Sequence, residues 1–553
     1  MEYAIFGSII IILVFLVFHH LKRGKSEGEI EQIRSEWGTP KSKFKTSSFN
    51  FDIIGKYGSV VKENFHRLTE QTIEDIDLHA LFKFIDRTTS KVGQQYLFKK
   101  IVEPTTNIED RSEGFIKLFA EDRNLREVVQ LQLLKLSDPD AYHISSLLGG
   151  FFTEKPKWLK YLIPYTVIVV GLIILSLKFP ILLIILLLFM VLNMFLHIYN
   201  RKNTLQFTLS IPQLNLMIGV SNELVKKGGL LYDKSVIESI SNMKTFQRSA
   251  RLIRFRPGGF ESDLAQYLFD IVKVIFLIEI FMVFKVVKEL KTKRSSIMVL
   301  FNYVGNIDAS ISVASLRAGK TKTCQPVFIS QKKEFVVKNV YHPLIKNCVK
   351  NNLTISNKSV LITGSNMSGK STFLRTMAIN SILAQTIYTC FADEYRAPIL
   401  KQFSSIRIDD NLFEGKSYYF QEVNTMASLI AQVNLPHQNF FILDEVFKGT
   451  NTVERISAAK AILSYLTRSD NIVIVSTHDI ELTEMLDHEY DLYHFSETIE
   501  NDELHFDHKI KSGQLRTRNA IKLLELSNYP SDITSEARQI SATLRTARIM
   551  SEE

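Results

Sequence analysis

The sequence predicts an α/β domain with a mainly parallel sheet, preceded by an all-helical domain that carries membrane-spanning helices. Three observations support this prediction. A glycine-rich phosphate-binding loop follows a β-branched run near residue 360. Apolar strands alternate with helical patterns after it, which is typical of parallel strands joined by helices. Upstream of the loop, the chain shows helical periodicity and three long apolar blocks.

The composition is that of a folded chain with several domains. Of 553 residues, 46% are hydrophobic and 23% are charged. The net charge of +9 permits a nucleic acid or an anionic membrane as partner, although basic residues spread over a large surface explain it equally well. The cysteines, Cys324, Cys348 and Cys390, form no Cys-x-x-Cys motif. This spacing indicates neither a zinc site nor a disulfide framework, and it fits reduced thiols in a cytosolic compartment.

The phosphate-binding loop lies within VLITGSNMSGKST, from Val360 to Thr372. Its glycines let successive backbone N–H groups face a phosphate, and the following helix points its positive end at the same anion. Lys370 has the length to reach the β- and γ-phosphates, and the Ser371 hydroxyl is a ligand for Mg²⁺. The predicted nucleotide-binding residues are Gly364, Ser365, Asn366, Met367, Ser368, Gly369, Lys370, Ser371 and Thr372.

A second motif, FFILDE, is an apolar strand that ends in two carboxylates about 70 residues after the loop. In this Walker B arrangement Asp444 holds Mg²⁺ and Glu445 accepts a proton from the attacking water. A further strand, IVIVS, is followed by Thr477 and His478, which places His478 beside the γ-phosphate. We therefore expect ATP and Mg²⁺ as cofactors, with Ser371 and Asp444 as metal ligands. The predicted catalytic residues are Lys370, Glu445 and His478.

The amino-acid sequences of these motifs resemble those of the MutS family of mismatch-repair ATPases, within the ABC ATPase superfamily. The similar segments are Thr363–Arg375, Leu443–Leu463, Ser476–Met485 and the signature-like Ile406–Val423. The resemblance implies an ABC-type ATPase that hydrolyses ATP in a homodimer with composite sites. By the same resemblance, Ser417 and Glu422 act at the nucleotide of the other subunit.

The resemblance extends upstream and downstream of the ATPase motifs. Asp77–Pro104 is similar to the start of the family's helical core, and Asn306–Leu316 to its end. Arg516–Ala537 is similar to the carboxy-terminal helix-turn-helix that helps these proteins dimerise. The family therefore implies DNA binding, mismatch repair and DNA damage sensing.

This chain also departs from the family pattern. Members that find mismatches carry an amino-terminal domain with a Phe-x-Glu wedge, whereas the Phe-x-Glu triplets here occur in other contexts, at 119–121, 420–422 and 495–497. We expect that domain to be lacking, with a membrane anchor in its place. The family often places an aromatic residue before the loop to stack on adenine, and Cys348 aligns with it.

Three apolar blocks predict membrane spans. Ala4–Phe18 is followed by basic residues, which favours an anchor over a signal peptide. Trp158–Asn200 holds two uncharged blocks flanked on both sides by Lys or Arg. This pattern favours a transmembrane hairpin over a buried core hairpin. All the polar regions then lie on one side, so we expect a membrane protein with its ATPase domain in the cytoplasm.

The expected order is a transmembrane anchor (1–21), a linker and first part of the helical core (22–157), a transmembrane hairpin (158–200), the second part of the core or lever (201–335), the ATPase domain (336–512) and a helix-turn-helix dimerisation segment (513–553). Two functions follow. The first is a MutS-like DNA-binding ATPase. The alternative is a membrane-coupled ABC-type ATPase with a structural or signalling role and no mismatch recognition. An ABC transporter fits less well, because three spans are few and they contain no charged residue.

Overall fold

The computed structural model describes residues 27–60, 65–106, 110–149, 160–253, 286–365, 367–407, 418–447, 450–500, 503–515, 520–526 and 529–552. They fall in two compact units. The helical unit takes its described residues from Met1–Asn64, Ile85–Lys100 and Glu109–Lys320, and the sheet unit from Phe65–Phe84, Ile101–Ile108 and Thr321–Glu553. The prediction of a mixed α/β chain with many helices is confirmed. The anchor expected at 1–21 lies outside the described residues.

The helices from the start of the described chain to residue 317 are 27–36 (α1), Lys43–Ser47 (α2), Phe51–Ile54 (α3), Lys56–Val60 (α4), Glu70–Asp75 (α5), Leu78–Ile85 (α6), Lys91–Val102 (α7), Asp110–Glu121 (α8), Arg123–Leu133 (α9), Leu162–Ser176 (α10), Leu182–Val225 (α11), Lys234–Asn242 (α12), Lys244–Ile253 (α13), 286–291 (α14) and Arg294–Arg317 (α15). The 3₁₀ segments are Leu134–Leu136, Pro139–Leu148 and Gly229–Leu231.

The helical unit is organised around α15, which is buried along most of its length. The helix expected at Asn306–Leu316 is its second half. The fully buried Asp308 carboxylate accepts hydrogen bonds from the backbone N–H groups of Thr89 and Ser90, at 2.9 and 2.7 Å, and from the Ser90 hydroxyl at 2.6 Å. These donors precede α7, so the carboxylate satisfies N–H groups at the start of that helix. Burial raises the pKa of Asp308 to about 6.

An apolar hairpin, α10 and the first half of α11, belongs to the same unit. Its two helices contact each other through the stacked rings of Tyr165 and Phe189, whose centroids are 5.5 Å apart, and through a hydrogen bond from Tyr165 to the buried Asn193. The opposite surfaces are exposed and apolar. Helix α11 then continues as one helix of 44 residues into the core of the unit, with Pro212 inside it.

Among the described residues, one helix has the length and hydropathy of a membrane span. This helix is α15, and 78% of its most apolar 18-residue stretch is buried inside the protein. The apolar segments of the hairpin, Pro164–Ser176 and Leu182–Phe195, are shorter.

The described residues of the sheet unit form ten strands: Val327–Phe328 (β1), Glu334–Val340 (β2), Asn351–Ser356 (β3), Ser359–Thr363 (β4), Glu394–Ala397 (β5), Lys401–Ser405 (β6), Asn439–Asp444 (β7), Ile472–Ser476 (β8), Tyr490–Glu500 (β9) and Glu503–Ser512 (β10). Its helices after β4 are Lys370–Ile387 (α16), Tyr418–Ile430 (α17), Thr452–Leu466 (α18), Glu481–Met485 (α19), Ala520–Leu526 (α20) and Ser531–Glu552 (α21).

A six-stranded sheet has the order β10-β9-β4-β8-β7-β6, and all neighbouring pairs are parallel except β10 with β9. Strands β4 and β8 are buried at every position, because a parallel sheet is covered on both faces and continuous apolar runs are stable there. A smaller sheet has the order β1-β5-β2-β3. The larger sheet aligns the carboxyl ends of β4, β7 and β8, since Ile362 pairs with Ser476 and Ser476 pairs with Asp444.

Candidate active site

The loop after β4 has the backbone that a phosphate cradle requires. Gly364 has φ +145° and Gly369 has φ +111°, both in the region that favours glycine. A Cβ on Gly364 would lie 2.8 Å from the carbonyl oxygen of Phe495, so a larger residue does not fit there. Helix α16 begins at Lys370, and its first N–H groups therefore face the loop. Thr372 lies in the same first turn.

Lys370 is buried beneath this loop. Its Nζ lies 2.7 Å from the carbonyl oxygen of Gly364 and 2.9 Å from that of Ser365. Ser368 is also buried, and its hydroxyl donates to the Ser365 carbonyl at 2.7 Å. Met367, by contrast, is 70% exposed. The Lys370 ammonium group thus lies beneath the loop, and the apolar Met367 side chain lies on its outer surface.

Ser371 and Asp444 meet at the end of the sheet. The Ser371 hydroxyl donates to Asp444 Oδ2 at 2.5 Å, and the Ser476 hydroxyl donates to Asp444 Oδ1. A hydroxyl and a carboxylate are the hard oxygen ligands that Mg²⁺ prefers, and Mg²⁺ usually takes its other ligands from water and phosphate. No group of three or more His, Cys, Asp or Glu side chains able to hold a metal occurs among the described residues. Ser371 and Asp444 have the ligand chemistry of a magnesium site, and that site stays a prediction.

Glu445 and His478 lie next to each other beside Lys370. His478 Nε2 is 2.8 Å from Glu445 Oε1 and 3.2 Å from Lys370 Nζ. One nitrogen cannot serve both contacts at once, so Nε2 either donates to the glutamate or accepts from the lysine. Glu445 has a left-handed backbone, φ +58°, and its N–H donates to the Ser476 carbonyl at 3.0 Å. Such strained conformations persist where surrounding contacts impose them, often at active sites.

A cavity of about 420 Å³ opens beside the loop. Its lining includes Cys348, Asn351, Gly369, Phe495 and His508. The cysteine that aligns with the family's adenine-stacking residue therefore does face the space beside the phosphate site. His508 was not predicted: its Nδ1 lies 3.0 Å from the carbonyl oxygen of Ser368, and it sits where β10 is irregular. No motif in the sequence marks it.

Two further pairs that the sequence analysis missed support the site. The Ser365 hydroxyl donates to Glu497 on β9 at 3.0 Å, which fixes the loop to the sheet. Arg455 on α18 makes a two-pronged ion pair with Asp479, with distances of 2.6 and 3.0 Å. Asp479 directly follows His478, so this pair holds the segment that carries the histidine. Charge complementarity over 24 residues of sequence is not visible without the fold.

The residues expected to act in trans have a different outcome. Ser417 lies outside the described residues, as does Asn366 of the phosphate-binding loop. Glu422 lies on α17 and is 1% exposed, so its carboxylate is buried in its own chain. Its action at the nucleotide of another subunit stays a prediction.

Comparison with known proteins finds a family match within the sheet unit. Residues 360–545 match MutS domain V. The chain is 30% identical over 263 residues to a DNA mismatch repair protein MutS of Pseudothermotoga lettingae, which covers 45% of this chain and 32% of that protein. It is 33% identical over 191 residues to a protein of the same name from Halothermothrix orenii, which covers 34% of this chain and 21% of that protein.

A third relative, from Fusobacterium nucleatum and also named DNA mismatch repair protein MutS, is 29% identical over 272 residues. The match covers 47% of this chain and 30% of that protein. The chain thus spans about a third or less of the length of the relatives it matches. The predicted resemblance to MutS mismatch-repair proteins is confirmed over the matched residues, which are less than half of this chain.

Proposed function

We propose that this protein is a MutS-type ATPase that binds ATP with Mg²⁺ and hydrolyses it. The observation that carries the proposal is the cluster at the carboxyl ends of β4, β7 and β8. There His478 lies 3.2 Å from Lys370 and 2.8 Å from Glu445, and Ser371 contacts Asp444. Ligands bind at this edge of an open parallel sheet because loops and helix N-termini converge on it.

Each side chain has a distinct task in this proposal. Lys370 and the N–H groups of the loop bind the phosphates, and Ser371 and Asp444 hold Mg²⁺, which supplies charge neutralisation at the phosphates. Glu445 accepts the proton of the attacking water, and His478 orients the Glu445 carboxylate through the 2.8 Å contact. The cavity beside the loop takes the base, with Cys348 and His508 on its walls.

We further propose that the ATPase acts as a homodimer with composite sites. Apolar side chains of the phosphate-binding loop, of α17 and of α18 are exposed: Met367 by 70%, Phe420 by 50% and Val453 by 73%. Exposed apolar side chains of this kind are available to a protein interface. Ser417 of the signature-like segment would then complete the site of the other subunit, and the carboxy-terminal helices α20 and α21 would help to join the chains.

DNA is the proposed partner of this ATPase, because the similar proteins are named for DNA mismatch repair. The net charge of +9 is compatible with that partner. We therefore propose DNA sensing coupled to the ATPase cycle.

The membrane-coupled alternative is favoured by the hairpin of α10 and α11. Its outward side chains are large, apolar and exposed: Val167 by 65%, Ile174 by 61%, Leu187 by 62%, Val191 by 63% and Phe195 by 68%. Soluble monomers rarely expose contiguous apolar patches of this kind. We therefore propose that this hairpin inserts into a membrane, with the sheet unit in the cytoplasm.

A lipid with a photoreactive group in its acyl chain tests the membrane placement. In vesicles that contain the full chain, it should label peptides from Leu162–Ser176 and the first half of Leu182–Val225, and leave peptides of the sheet unit unlabelled. Label confined to other parts of the chain would contradict the placement.

The DNA partner is tested on the full chain in lipid nanodiscs. The ATPase rate is measured with homoduplex, mismatched, branched and single-stranded DNA at low and high salt. Stimulation by one structure that disappears as salt rises supports a DNA-sensing ATPase, because phosphate contacts weaken with salt. A rate that no DNA changes refutes the DNA partner and supports the membrane-coupled alternative. Lys370→Ala, which loses the phosphate contact, serves as the inactive control.

A further inference from the structure

The sheet unit contains a short segment from far upstream, residues 65–84, which the sequence analysis assigned to the helical core. It lies along β6, the edge strand of the larger sheet. His66 Nε2 is 2.9 Å from the carbonyl oxygen of Gln402, and the Thr72 hydroxyl accepts from the N–H of Ser404 at 3.2 Å. An edge strand has unpaired backbone groups, and this segment satisfies several of them.

The segment holds one residue, Arg407, at three points. The Arg407 N–H donates to the Asp75 carboxylate at 2.7 Å, and the Gln71 amide donates to the Arg407 carbonyl. The guanidinium makes a fork with Asp77, with distances of 2.9 and 3.1 Å. Arg407 directly precedes 408–417, which lies outside the described residues and includes Ser417. Arg407 is therefore fixed at the point where the chain leaves β6.

Asp75 makes the rigid part of this contact. Its carboxylate also accepts from the Ser404 hydroxyl at 2.6 Å and from the Ile406 N–H at 3.0 Å. Burial raises the pKa of Asp75, and its hydrogen bonds oppose that rise. Because Asp75 supports the strand end itself, its loss would disturb the fold. Asp77 is the better residue for asking what the contact does.

Asp77 also faces Arg375, on the helix that starts with the catalytic lysine. Arg375 NH1 is 3.7 Å from Asp77 Oδ2, and Arg375 is one helical turn beyond Ser371. Among the described residues, its buried Nε has no hydrogen-bond partner. Burial, followed by the charge of Arg407, lowers the pKa of Arg375. Two arginines thus share one carboxylate, and Asp77 offsets their mutual repulsion.

The backbone of Asp77 has an unusual conformation. Its φ is +50°, a left-handed conformation that aspartate tolerates but most residues avoid. This turn joins α5 to α6 and aims the carboxylate at both arginines.

We propose that Asp77 is a positioning residue for the ATPase site. Its carboxylate holds Arg407, at the start of the signature-like segment, close to Arg375 on the phosphate-loop helix α16. The kinetic part of this inference rests on the proposed ATPase function. Loss of the Asp77 charge removes the carboxylate that contacts both cations and leaves only Asp75 and Asp444 to offset the charge at Arg375, so Arg407 shifts relative to the phosphate loop. The loop itself is unchanged, and ATP binding is therefore retained.

The test compares Asp77→Asn with Asp470→Asn in the full chain. Asp470 is a matched control, because it also has a left-handed backbone, φ +64°, and a surface ion pair, 2.8 Å to Lys332, in the same unit. Asp77→Asn should lower kcat about fivefold, the upper end of what a half-exposed ion pair contributes, with KM for ATP unchanged. Asp470→Asn should change kcat less than about twofold.

A double-mutant cycle identifies the route. If Asp77 acts through Arg407, Asp77→Asn should have little further effect on kcat in an Arg407→Gln background. A purely structural role predicts a lower melting temperature with kcat per folded molecule unchanged, and that result would overturn the proposal.

Hydrogen exchange separates this inference from the proposed function. Amides of Ser404, Ile406 and Arg407 should exchange faster in Asp77→Asn than in the parent chain, whether or not the protein hydrolyses ATP. If the parent chain has no ATPase activity, the proposed function is refuted. The exchange rates then still test whether Asp77 positions Arg407. Unchanged exchange at these amides would overturn it.

Discussion

His66 makes the stability of the sheet unit depend on pH. Burial lowers its pKa to about 4, from an ordinary value of 6.5, and it contacts the backbone of Gln402. In the folded protein the ring therefore stays neutral down to about pH 4, whereas the unfolded chain binds a proton near pH 6.5. Since the unfolded state binds more protons between these values, stability is full above pH 6.5 and is lost as the pH falls toward 4.

The size of the effect follows from the two pKa values. A difference of 2.5 pH units at about 1.36 kcal/mol each gives a loss of about 3 kcal/mol over the whole range. Between pH 7 and pH 5 the loss is about 2 kcal/mol, because part of the titration lies outside that interval. For a unit of this size, that corresponds to a fall of about 4–8 °C in melting temperature.

The assay is thermal unfolding of the full chain at pH 7 and pH 5, in the parent, in His66→Gln and in His488→Gln. His488 is a matched control because its side chain is 96% exposed. The parent and His488→Gln should lose about 4–8 °C more on acidification than His66→Gln does. His342, whose pKa burial also lowers to about 4, titrates equally in all three proteins. An equal loss in His66→Gln would refute the reasoning.

Two other substitutions test the site support and the helical core. Arg455→Lys should lower kcat about tenfold with KM unchanged, because lysine cannot form the fork with Asp479; steady-state ATPase kinetics check this, and an unchanged kcat would contradict it. Gly305→Ala should destabilise the helical unit by about 3 kcal/mol, because its Cβ would lie 2.6 Å from Tyr96 Cβ. Gly219→Ala, which has no atom within 4 Å of the added Cβ, should be neutral or stabilising in the same melting experiment.

The parts of the fold that the sequence predicts are those encoded locally. Strands β4, β7 and β8 are continuous apolar runs, and the glycines of the loop stand at fixed spacing. Both signals reside within about 15 residues of sequence. The alignment of Asp444 with Ser476 then follows from parallel pairing, which brings the ends of neighbouring strands together.

The remaining features depend on contacts between distant residues. Nothing local indicates that His66 and Asp75 cover the edge strand, because their partners lie more than 300 residues away. The change from apolar to polar side chains near Arg201 suggests a boundary between the hairpin and the core. The backbone hydrogen bonds of α11 continue through it regardless of side-chain polarity, and the helix is therefore continuous.

The measurement that tests the central claim most directly compares the full chain with its Glu445→Gln and Glu334→Gln variants in nanodiscs. ATP hydrolysis and binding of a fluorescent ATP analogue are measured for each protein. Because the glutamine cannot accept the proton of water, Glu445→Gln should hydrolyse ATP at least about 100-fold more slowly and bind it as tightly as the parent. Glu334→Gln, at a surface ion pair with Arg396, should match the parent in both assays. Hydrolysis at the parent rate by Glu445→Gln would contradict the account of this site.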